Sequence, residues 1–264
     1  MSSRTAHLTE PSEQLLGRLE QATSLCVLTG AGISVESGLS TFRDPEGLWE
    51  KYNPSDLATE AAFRRNPKLV QGWYQARLEQ AISAQPNAGH LAITELDELS
   101  EYFLLVTQNV DTLHTRAGTK RLVELHGNIS DERCVDCGQP SDRLVFSEEG
   151  LRCCADCNGF LRPGVVWFGE TLPTEPFERA SEAASRADVF LSVGTSSIVY
   201  PAAGLPLLAK QNGAFVVEIN VEPSALSHTM HELILGPAGE ILPLLVEHIR
   251  SLQPLNKLEP NTSR

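Results

Sequence analysis

The sequence predicts an α/β protein whose main domain is a doubly wound parallel sheet and which carries a second, smaller lobe. Short, wholly apolar segments of the length of buried strands recur along the chain, separated by helical or loop sequence. Two cysteine pairs are confined to one stretch that is rich in glycine and charge and lacks such segments. At 264 residues the chain is long enough for two unequal lobes with a sizeable core.

A polar N-terminal arm leads into a predicted helix over Glu13–Ala22, in which Leu15, Leu16 and Leu19 recur at helical spacing. The apolar segments that follow predict buried strands at Leu25–Thr29, Tyr102–Thr107, Val189–Val193 and Ala214–Ile219. Because helical or loop sequence separates each segment from the next, we expect these strands to run parallel in one sheet.

Each predicted strand is followed at once by polar or glycine-rich sequence. These loops are Gly30-Ala31-Gly32, Gln108-Asn109-Val110-Asp111, Gly194-Thr195-Ser196-Ser197 and Asn220-Val221-Glu222-Pro223. In open α/β sheets ligands bind beyond the carboxyl ends of the strands. The four loops are therefore expected to share one rim and to form the binding site.

Two segments do not fit the sheet pattern. The first has candidate helices at Ala58–Arg65, Leu69–Ser83 and Gly89–Leu99, interrupted by prolines. The second, Asn128–Pro163, is cysteine-rich and shows little apolar periodicity. We expect a discontinuous Rossmann-like domain of residues 1–43, 91–127 and 164–264, with residues 44–90 and 128–163 forming the small lobe.

The composition argues against several classes of protein. With 21 Lys and Arg against 34 Asp and Glu, the net charge of −13 makes nucleic acid a poor direct ligand. No run approaches the roughly 18 to 20 apolar residues that span a bilayer, and the N-terminal residues lack the apolar region of a secretory signal. We expect a cytoplasmic protein that contacts neither nucleic acid nor membrane.

The cysteine pairs Cys134/Cys137 and Cys154/Cys157 have the form C-x-x-C and are separated by 16 residues, a spacing typical of structural zinc ribbons. Four thiolates would complete a closed tetrahedron around one Zn²⁺, with no open position for catalysis. The metal is therefore expected to hold the small lobe together. Cys153 is an alternative to Cys154 as the third ligand, although the regular two-residue gap favours Cys154.

The glycine loop Gly30–Gly38 follows a strand and precedes helical sequence, as a site for dinucleotide phosphates requires. The pattern is not G-x-G-x-x-G, and any tight turn after a strand also needs glycine, so the loop alone leaves both interpretations open. Glu222, beside Asn220, has the same ambiguity. It follows the last predicted strand and is either a ligand for ribose hydroxyls or an ordinary polar residue at a strand end.

His126 lies in the segment Val-Glu-Leu-His-Gly, just before the cysteine-rich stretch. A lone histidine is more often structural than catalytic. The polar loop at 108–111 is expected on the same rim, however, and a side chain that titrates near neutral pH suits general-base work on a sugar hydroxyl.

Taken in order, the motifs GAGIS, TQNVDTLHTRAG, ELHGN, LRPGVVWFGE, GTSSIVYPA and EINVEP, together with the two cysteine pairs, resemble the sirtuin family of NAD-dependent protein deacylases. The resemblance covers residues 24 to 247. It implies that NAD, consumed as a co-substrate, is bound along the shared rim. The implied contacts are Gly30, Ala31, Gly32, Ser34, Glu36, Phe42 and Arg43 near the phosphates and nicotinamide ribose; Gln108, Asn109 and Asp111 in the nicotinamide pocket; Gly194, Thr195 and Ser196 near phosphate and ribose; and Asn220, Glu222 and Ala238 near the adenosine.

The resemblance also implies a mechanism. The acyl oxygen of the substrate attacks C1′ of the nicotinamide ribose and expels nicotinamide, and His126 then deprotonates a ribose hydroxyl, with Asn109 as the second catalytic residue. The products are free lysine, nicotinamide and O-acyl-ADP-ribose. The partner is an acylated lysine of a protein, held as an added strand between Val166–Glu170 and Ile198–Tyr200. The residues implied in that contact are Val166, Phe168, Gly169, Glu170, Val199 and Tyr200, and the enzyme is expected to act as a monomer.

Tyr74 and Arg77 stand three residues apart on a predicted helix and so share one face. Spacing alone favours an ordinary aromatic residue beside a solvated charge. The Tyr-x-x-Arg pattern nevertheless resembles the class III sirtuins, in which both side chains bind the carboxylate of succinyl and malonyl groups, and Ala58 resembles the small residue that widens the acyl pocket in that class. The resemblance therefore implies removal of succinyl, malonyl and acetyl groups.

Three other functions share parts of this pattern. Mono-ADP-ribosyl transfer to protein is the closest, because it uses the same departure of nicotinamide with another acceptor. A non-catalytic ADP-ribose-binding module would bind without releasing nicotinamide. A nicotinamide dehydrogenase would be expected to show G-x-G-x-x-G, which this sequence lacks.

Overall fold

The computed structural model describes residues 9–41, 52–141, 143 and 145–252. The strands are β1 Ser24–Thr29, β2 Tyr102–Thr107, β3 Leu122–Glu124, β4 Gly127–Cys134, β5 Val145–Phe146, β6 Arg152–Cys153, β7 Leu161–Val165, β8 Val189–Val193, β9 Phe215–Asn220 and β10 Glu232–Leu235. The α-helices of these ranges are α1 Glu13–Gln21, α2 Pro54–Leu57, α3 Glu60–Arg65, α4 Pro67–Ser83, α5 Ala88–Leu99, α6 Leu113–Ala117, α7 Thr174–Arg186, α8 Leu205–Gln211 and α9 Ala238–Leu252.

A six-stranded sheet in the order β10-β9-β8-β1-β2-β3 forms the centre of the molecule, and all of its strand pairs are parallel. The predicted Rossmann-like fold class is thus confirmed. The four strands expected from apolar segments are present, each within one residue of its predicted start. They are also neighbours in the sheet, so their carboxyl ends meet along one edge.

Helices cover both faces of this sheet. Alternate residues of β1 point to opposite sides: Val27 packs in a core with α1, α5 and α9, whereas Leu28 packs in a second core with α7 and α8. Burial on both faces explains why the strands are continuous apolar runs rather than alternating ones. Among the described residues, no helix has the length and apolar character needed to cross a bilayer.

Two strands of the sheet were not predicted. β3 is only three residues long, and one of its three side chains is fully buried. β10 lies at the edge of the sheet beside β9, and its burial is likewise incomplete. Neither segment has the long apolar run that identifies a central strand. The prediction that β9 is the last strand was therefore wrong, because a short edge strand follows it.

The cysteine-rich stretch forms two small antiparallel pairs, β4 with β7 and β5 with β6. β4 and β7 pack against α4, and a separate apolar core there includes Phe63, Val70, Tyr74, Ile129 and Trp167. The division of the chain into two lobes with the predicted boundaries stays a prediction. A third core distinct from the two cores of the large sheet is consistent with it.

The predicted helix over Ala58–Arg65 is present as α3 but begins two residues later, at Glu60, and a short helix that was not predicted, α2, precedes it with a break at Ala58. The Thr59 hydroxyl accepts a hydrogen bond from the N–H of Ala62 at 3.1 Å and so begins a new helix there. At the break, the carbonyl oxygen of Ala58 accepts the N–H of Phe168 at 2.9 Å. The break therefore ties the helical segment to the loop after β7.

His90 on α5 and His114 on α6 form a buried pair, with ring centroids 4.7 Å apart. The backbone N–H of Asn87 donates to Nδ1 of His90 at 3.3 Å, and Nε2 of His114 lies 3.0 Å from Oγ1 of Thr29. Burial lowers the pKa of His90 to about 4. Burial, assisted by the neighbouring His90, lowers the pKa of His114 well below 6.5. Both rings are therefore neutral in the folded protein at neutral pH.

We expect the free energy of unfolding to fall as the pH drops from 6.5 toward 4. In that range the two histidines are protonated in the unfolded chain but stay neutral in the folded protein, because burial lowers their pKa. The slope contributed by each histidine approaches about 1.4 kcal/mol per pH unit in that window. Urea denaturation at pH 7, 6 and 5 measures it. The double variant His90→Gln/His114→Gln should flatten the slope, whereas His228→Gln, at an exposed site, should not. Equal slopes in both variants would contradict the assignment.

Candidate functional site

A cleft of about 640 Å³ lies at the carboxyl ends of β1, β2, β8 and β9 and extends to α4 and β4. Four loops predicted to share one rim contribute to its wall. The predicted site residues that line it are Gly30, Ala31, Gly32, Glu36, Ala58, Tyr74, Arg77, Gln108, Asn109, His126, Val166, Phe168, Gly169, Glu170, Gly194, Thr195, Ser196, Val199, Tyr200, Asn220, Glu222 and Ala238. Segments that are remote in sequence thus converge on one cavity.

The first glycine loop packs directly against the loop after β8. The N–H of Gly32 donates to the carbonyl oxygen of Gly194 at 2.8 Å, and Gly194 has a φ of +58°. A Cβ on Gly32 would lie 2.7 Å from Cα of Gly194. Glycine is therefore required at both positions so that the backbones of the two loops can pack together. This requirement is independent of any phosphate binding by the first loop. The loop itself contains a short 3₁₀ helix, Ala31–Ser37, and the segment after it is described only as far as Thr41.

The loop after β2 is held by a buried polar network. Oγ of Ser34 donates to Oδ2 of Asp111 at 2.7 Å and accepts from Nδ2 of Asn109 at 3.2 Å, while Oδ1 of Asp111 accepts the N–H of Leu113 at 3.0 Å. Burial raises the pKa of Asp111, and these hydrogen bonds oppose that rise. Asn109 lines the cleft, whereas Ser34 and Asp111 lie behind it and orient the amide.

A second set of contacts joins the neighbouring loops. Nε2 of Gln108 donates to Oγ1 of Thr195 at 3.1 Å, and Nδ2 of Asn220 donates to the carbonyl oxygen of Thr195 at 3.1 Å. Because Thr195 is bound from both sides, the loops after β2, β8 and β9 are linked to one another at the floor of the cleft.

His126 lies between β3 and β4, half-buried in the cleft wall. Its Nδ1 lies 3.0 Å from the carbonyl oxygen of Gln108. A carbonyl oxygen can only accept, so Nδ1 carries the proton in the neutral ring and Nε2 carries the lone pair. This tautomer is the one that a general base acting through Nε2 requires.

One predicted cofactor residue, Glu36, has a partner within the chain. Oε2 of Glu36 accepts the N–H of Gly239 at 2.8 Å, which satisfies an N–H in the first turn of α9 and suits a carboxylate at that helix end. Glu222 is exposed at the cleft mouth. Phe42 and Arg43 lie outside the described residues.

The three residues predicted to bind the acyl group line the same cleft as His126. Ala58 and Tyr74 are buried, and Arg77 is half-buried with its NH1 donating to Oε1 of Gln80 at 3.0 Å. Burial lowers the pKa of Arg77, while the nearby Asp111 opposes that effect. The guanidinium therefore faces a partly desolvated cavity, where a charge-assisted hydrogen bond is stronger than in water.

Trp167 also lines the cleft, although the sequence analysis did not select it. Its Nε1–H donates to the hydroxyl oxygen of Tyr74 at 2.9 Å. The available signal was its place in the motif VVWFG, between two residues that were selected.

The segment predicted to pair with a peptide, Val166–Glu170, is not a strand in the structure. Its N–H groups at Val166, Phe168 and Glu170 donate to the carbonyl oxygens of His126, Ala58 and Trp167. A peptide on this side would therefore have to use the carbonyl oxygens of the segment and the N–H of Gly169. On the other side, Tyr200 is exposed and Val199 is half-buried.

The carboxylate of Glu170 is engaged within the chain. It forms ion pairs with Arg162 and Arg133, and its Oε2 accepts the backbone N–H of Trp167 at 2.9 Å. These partners hold the pKa of Glu170 below its usual range, although burial opposes the shift. The side chain thus fastens the loop after β7, and a substrate contact through this residue would use its backbone.

Cys134, Cys137, Cys154 and Cys157 bring their Sγ atoms within 4.8 Å of one another. Two of the Sγ–Sγ distances are 3.4 and 3.9 Å. These match a tetrahedron of bonds of about 2.3 Å, whose edges are about 3.8 Å. Cys153 is outside the cluster, and its thiol donates to the carbonyl oxygen of Leu151 at 3.4 Å. The residues fit a Cys₄ metal site, and the alternative with Cys153 is not the one formed.

Comparisons with known proteins agree on one family. The Sir2 family model matches residues 30–201. The chain is 53% identical over 235 residues to NAD-dependent protein deacylase 2 of Pyrobaculum aerophilum, covering 89% of this chain and 94% of the relative. It is 51% identical over 230 residues to the NAD-dependent protein deacylase of Ralstonia nicotianae, covering 86% and 93%.

Solved structures give the same result. The chain superposes with a TM-score of 0.86 and 42% identity on a complex of a Sir2 homologue with NAD, covering 94% of this chain and 97% of that one. It superposes with a TM-score of 0.79 and 30% identity on a complex of Sir2 with a p53 peptide and NAD⁺, covering 89% and 97%.

Proposed function

The chain belongs to the Sir2 family and is an NAD-dependent protein deacylase of the sirtuin type, and from that premise we propose that succinyl- and malonyl-lysine are good substrates alongside acetyl-lysine. The observation that carries this proposal is that Arg77, Tyr74 and Ala58 line the same cleft as His126. A guanidinium and a phenol at one end of a partly desolvated cavity suit an acyl group that ends in a carboxylate.

The roles of the chain's own residues follow from their contacts. NAD supplies the reactive C1′ carbon and the departing nicotinamide. Asn109, whose amide donates to Ser34 and is thereby oriented by Ser34 and Asp111, lines the nicotinamide end of the cleft. His126, whose Nδ1–H is held by the Gln108 carbonyl, accepts the proton of a ribose hydroxyl at Nε2. The cleft would hold the acyl group beside the ribose hydroxyl, so that orientation favours its transfer to ADP-ribose, and release of the free lysine would consume one water molecule.

The further parts of the proposal concern ligands and location. The Cys₄ cluster holds one structural Zn²⁺, supported by thiol spacing that fits tetrahedral coordination. Stable thiolates of this kind suit a reducing compartment, so we place the enzyme in the cytoplasm. Its partners are acylated lysines of proteins, bound as extended peptides, and it acts as a monomer without nucleic acid or membrane contacts.

Replacing Arg77 with methionine should lower kcat/KM for succinyl-lysine far more than for acetyl-lysine. A charge-assisted hydrogen bond in a desolvated site is worth about 1.5 to 3 kcal/mol, so the succinyl loss should be on the order of 10- to 100-fold. Acetyl-lysine has no distal carboxylate and loses nothing of this kind. Steady-state assays with matched succinyl-, malonyl- and acetyl-lysine peptides and NAD, read by mass spectrometry, measure both losses.

The matched control is Arg179→Met. Arg179 lies on α7, is half-exposed and pairs with Glu175 one turn away, so its loss should change neither activity. Equal losses of kcat/KM for succinyl and acetyl substrates in Arg77→Met would contradict the proposed acyl specificity, but not the assignment as a deacylase. The same spectra detect ADP-ribose added to protein, which distinguishes transfer to a protein acceptor from deacylation.

A further inference from the structure

Trp167 connects the loop after β7 to Tyr74 of the acyl-binding pair. The indole is 2% exposed, and its N–H reaches the Tyr74 hydroxyl across 93 positions of sequence. Phe63 packs against it with ring centroids 5.4 Å apart. This indole is therefore enclosed by the small-lobe core and presents one polar atom to one partner.

Several contacts fix the orientation of this indole. The guanidinium carbon of Arg162 lies 3.3 Å from the centroid of the Trp167 ring, and NH2 of Arg162 donates to the Val165 carbonyl oxygen at 2.7 Å. Arg162 is also ion-paired with Glu170, which accepts the backbone N–H of Trp167. Arg162 is 3% exposed, so this arrangement is a buried and mutually bonded unit. The indole direction is set by the fold.

The hydrogen bond decides which way the Tyr74 hydroxyl can act. A phenol has one proton and accepts through its oxygen lone pairs. Because the oxygen accepts the indole N–H, the phenol proton must point to a different acceptor. Within the part of the chain described here, Trp167 is the hydrogen-bond partner of that hydroxyl, and Arg77 lines the same cleft. The proton is thus available to an anionic group beside Arg77.

Tyr74 is packed in an apolar core but also borders open space. The residue also lines a second cavity of about 200 Å³, together with Leu78, Ile129 and Pro163. A ring that borders open space on a second side can shift toward it when its polar anchor is removed. The Trp167 hydrogen bond is therefore the polar contact that fixes the hydroxyl group of Tyr74.

We infer that Trp167 is a specificity-determining positioning residue, whose indole N–H orients the Tyr74 hydroxyl to donate to the distal carboxylate of an acyl group bound by Arg77. The inference rests on the proposed function, since it needs an acidic acyl substrate. It adds to the selectivity given by Arg77 a unit of four residues, in which Arg162 and Glu170 hold Trp167, and Trp167 holds Tyr74.

A double-mutant cycle tests the inference by kinetics. Trp167→Phe should lower the succinyl-to-acetyl ratio of kcat/KM by roughly five- to tenfold, because a hydrogen bond to a charged group is weakened for one substrate only. In a Tyr74→Phe background, which has no hydroxyl to orient, the same substitution should leave the ratio unchanged. Equal losses for both substrates, or the same fall of the ratio in both backgrounds, would overturn the inference.

A second measurement does not depend on activity. The protein has three tryptophans, and the indole signal of Trp167 in a ¹⁵N spectrum is the one that Trp167→Phe removes. Tyr74→Phe should move that signal upfield, and a succinyl-lysine peptide should shift it more than an acetyl-lysine peptide does. If Tyr74→Phe leaves the chemical shift of the Trp167 indole signal unchanged, the inference is overturned. If Trp167→Phe does not fold, the indole signal of Trp167 can be assigned by selective labelling of the wild-type protein, and the Tyr74→Phe measurement then tests the inference.

The activity of the wild-type enzyme distinguishes a failure of the proposed acyl specificity from a failure of the positioning role of Trp167. If it removes succinyl groups in an Arg77-dependent way while the cycle is additive, the positioning role of Trp167 is wrong and the proposed function stands. If the wild type removes acetyl but not succinyl or malonyl groups, the proposed specificity fails and the inference fails with it.

Discussion

Replacing His126 with tyrosine should abolish deacylation of every acyl substrate while the protein remains folded. His126 is the imidazole in the cleft whose Nδ1–H is held by a backbone carbonyl, at 3.0 Å, leaving Nε2 as the basic atom. General-base catalysis contributes about 10²- to 10⁴-fold, and a phenol that titrates near pH 10 is a poor substitute at neutral pH. Turnover measured with acetyl- and succinyl-lysine peptides should therefore fall by about that factor.

Two further variants separate the loss of the base from a change in shape. His126→Ala leaves space in the cleft, so added imidazole should restore part of the activity. His228→Gln, at an exposed site, should keep the full rate. Circular dichroism and zinc content should be unchanged in all three variants. Normal rates in His126→Tyr or His126→Ala would refute the general-base role.

Replacing Cys154 with serine should remove the metal and unfold the small lobe. Structural zinc in thiolate sites contributes on the order of 10 to 16 kcal/mol of binding free energy, and that free energy is available only to a folded site. Cys134 ends β4 and Cys154 follows β6, so the cluster joins both strand pairs of the cysteine-rich stretch. Metal analysis should give one Zn²⁺ per chain for the wild type and none for Cys154→Ser, with a lower Tm.

The neighbouring cysteine is a matched control one residue away. Cys153 is buried and its thiol donates to the Leu151 carbonyl, so Cys153→Ser should retain the zinc. Its loss of stability should be limited to that of one small buried substitution. Zinc retained by Cys154→Ser and lost by Cys153→Ser would reverse the ligand assignment. A wild-type protein without zinc would remove the metal from the proposal.

The loss of the small lobe would also affect the acyl site. Tyr74 and Trp167 belong to the core that packs against β4 and β7. Arg77 lies on α4, the helix that contacts both of those strands. Chelation of the metal is therefore expected to reduce succinyl removal through lost positioning, although none of the four cysteines lines the cleft.

The sequence by itself determined the central strands, the class of the fold and the spacing of the cysteine pairs. These features depend on residues that are near one another along the chain. A strand buried on both faces must be a continuous apolar run, and a C-x-x-C turn presents two thiols whatever lies elsewhere. β3 and β10 escaped prediction because a short or half-buried strand is recognised only by the neighbour to which it bonds.

Only the tertiary structure decided which distant groups meet. Cys153 and Cys154 are adjacent in sequence, yet the fold directs only the second thiol into the cluster. The glycines at 32 and 194 are explained by a contact between two loops. The hydrogen bond from Trp167 to Tyr74 joins residues that share no local pattern. Such contacts depend on the packing of whole elements, and periodicity along the chain carries no information about them.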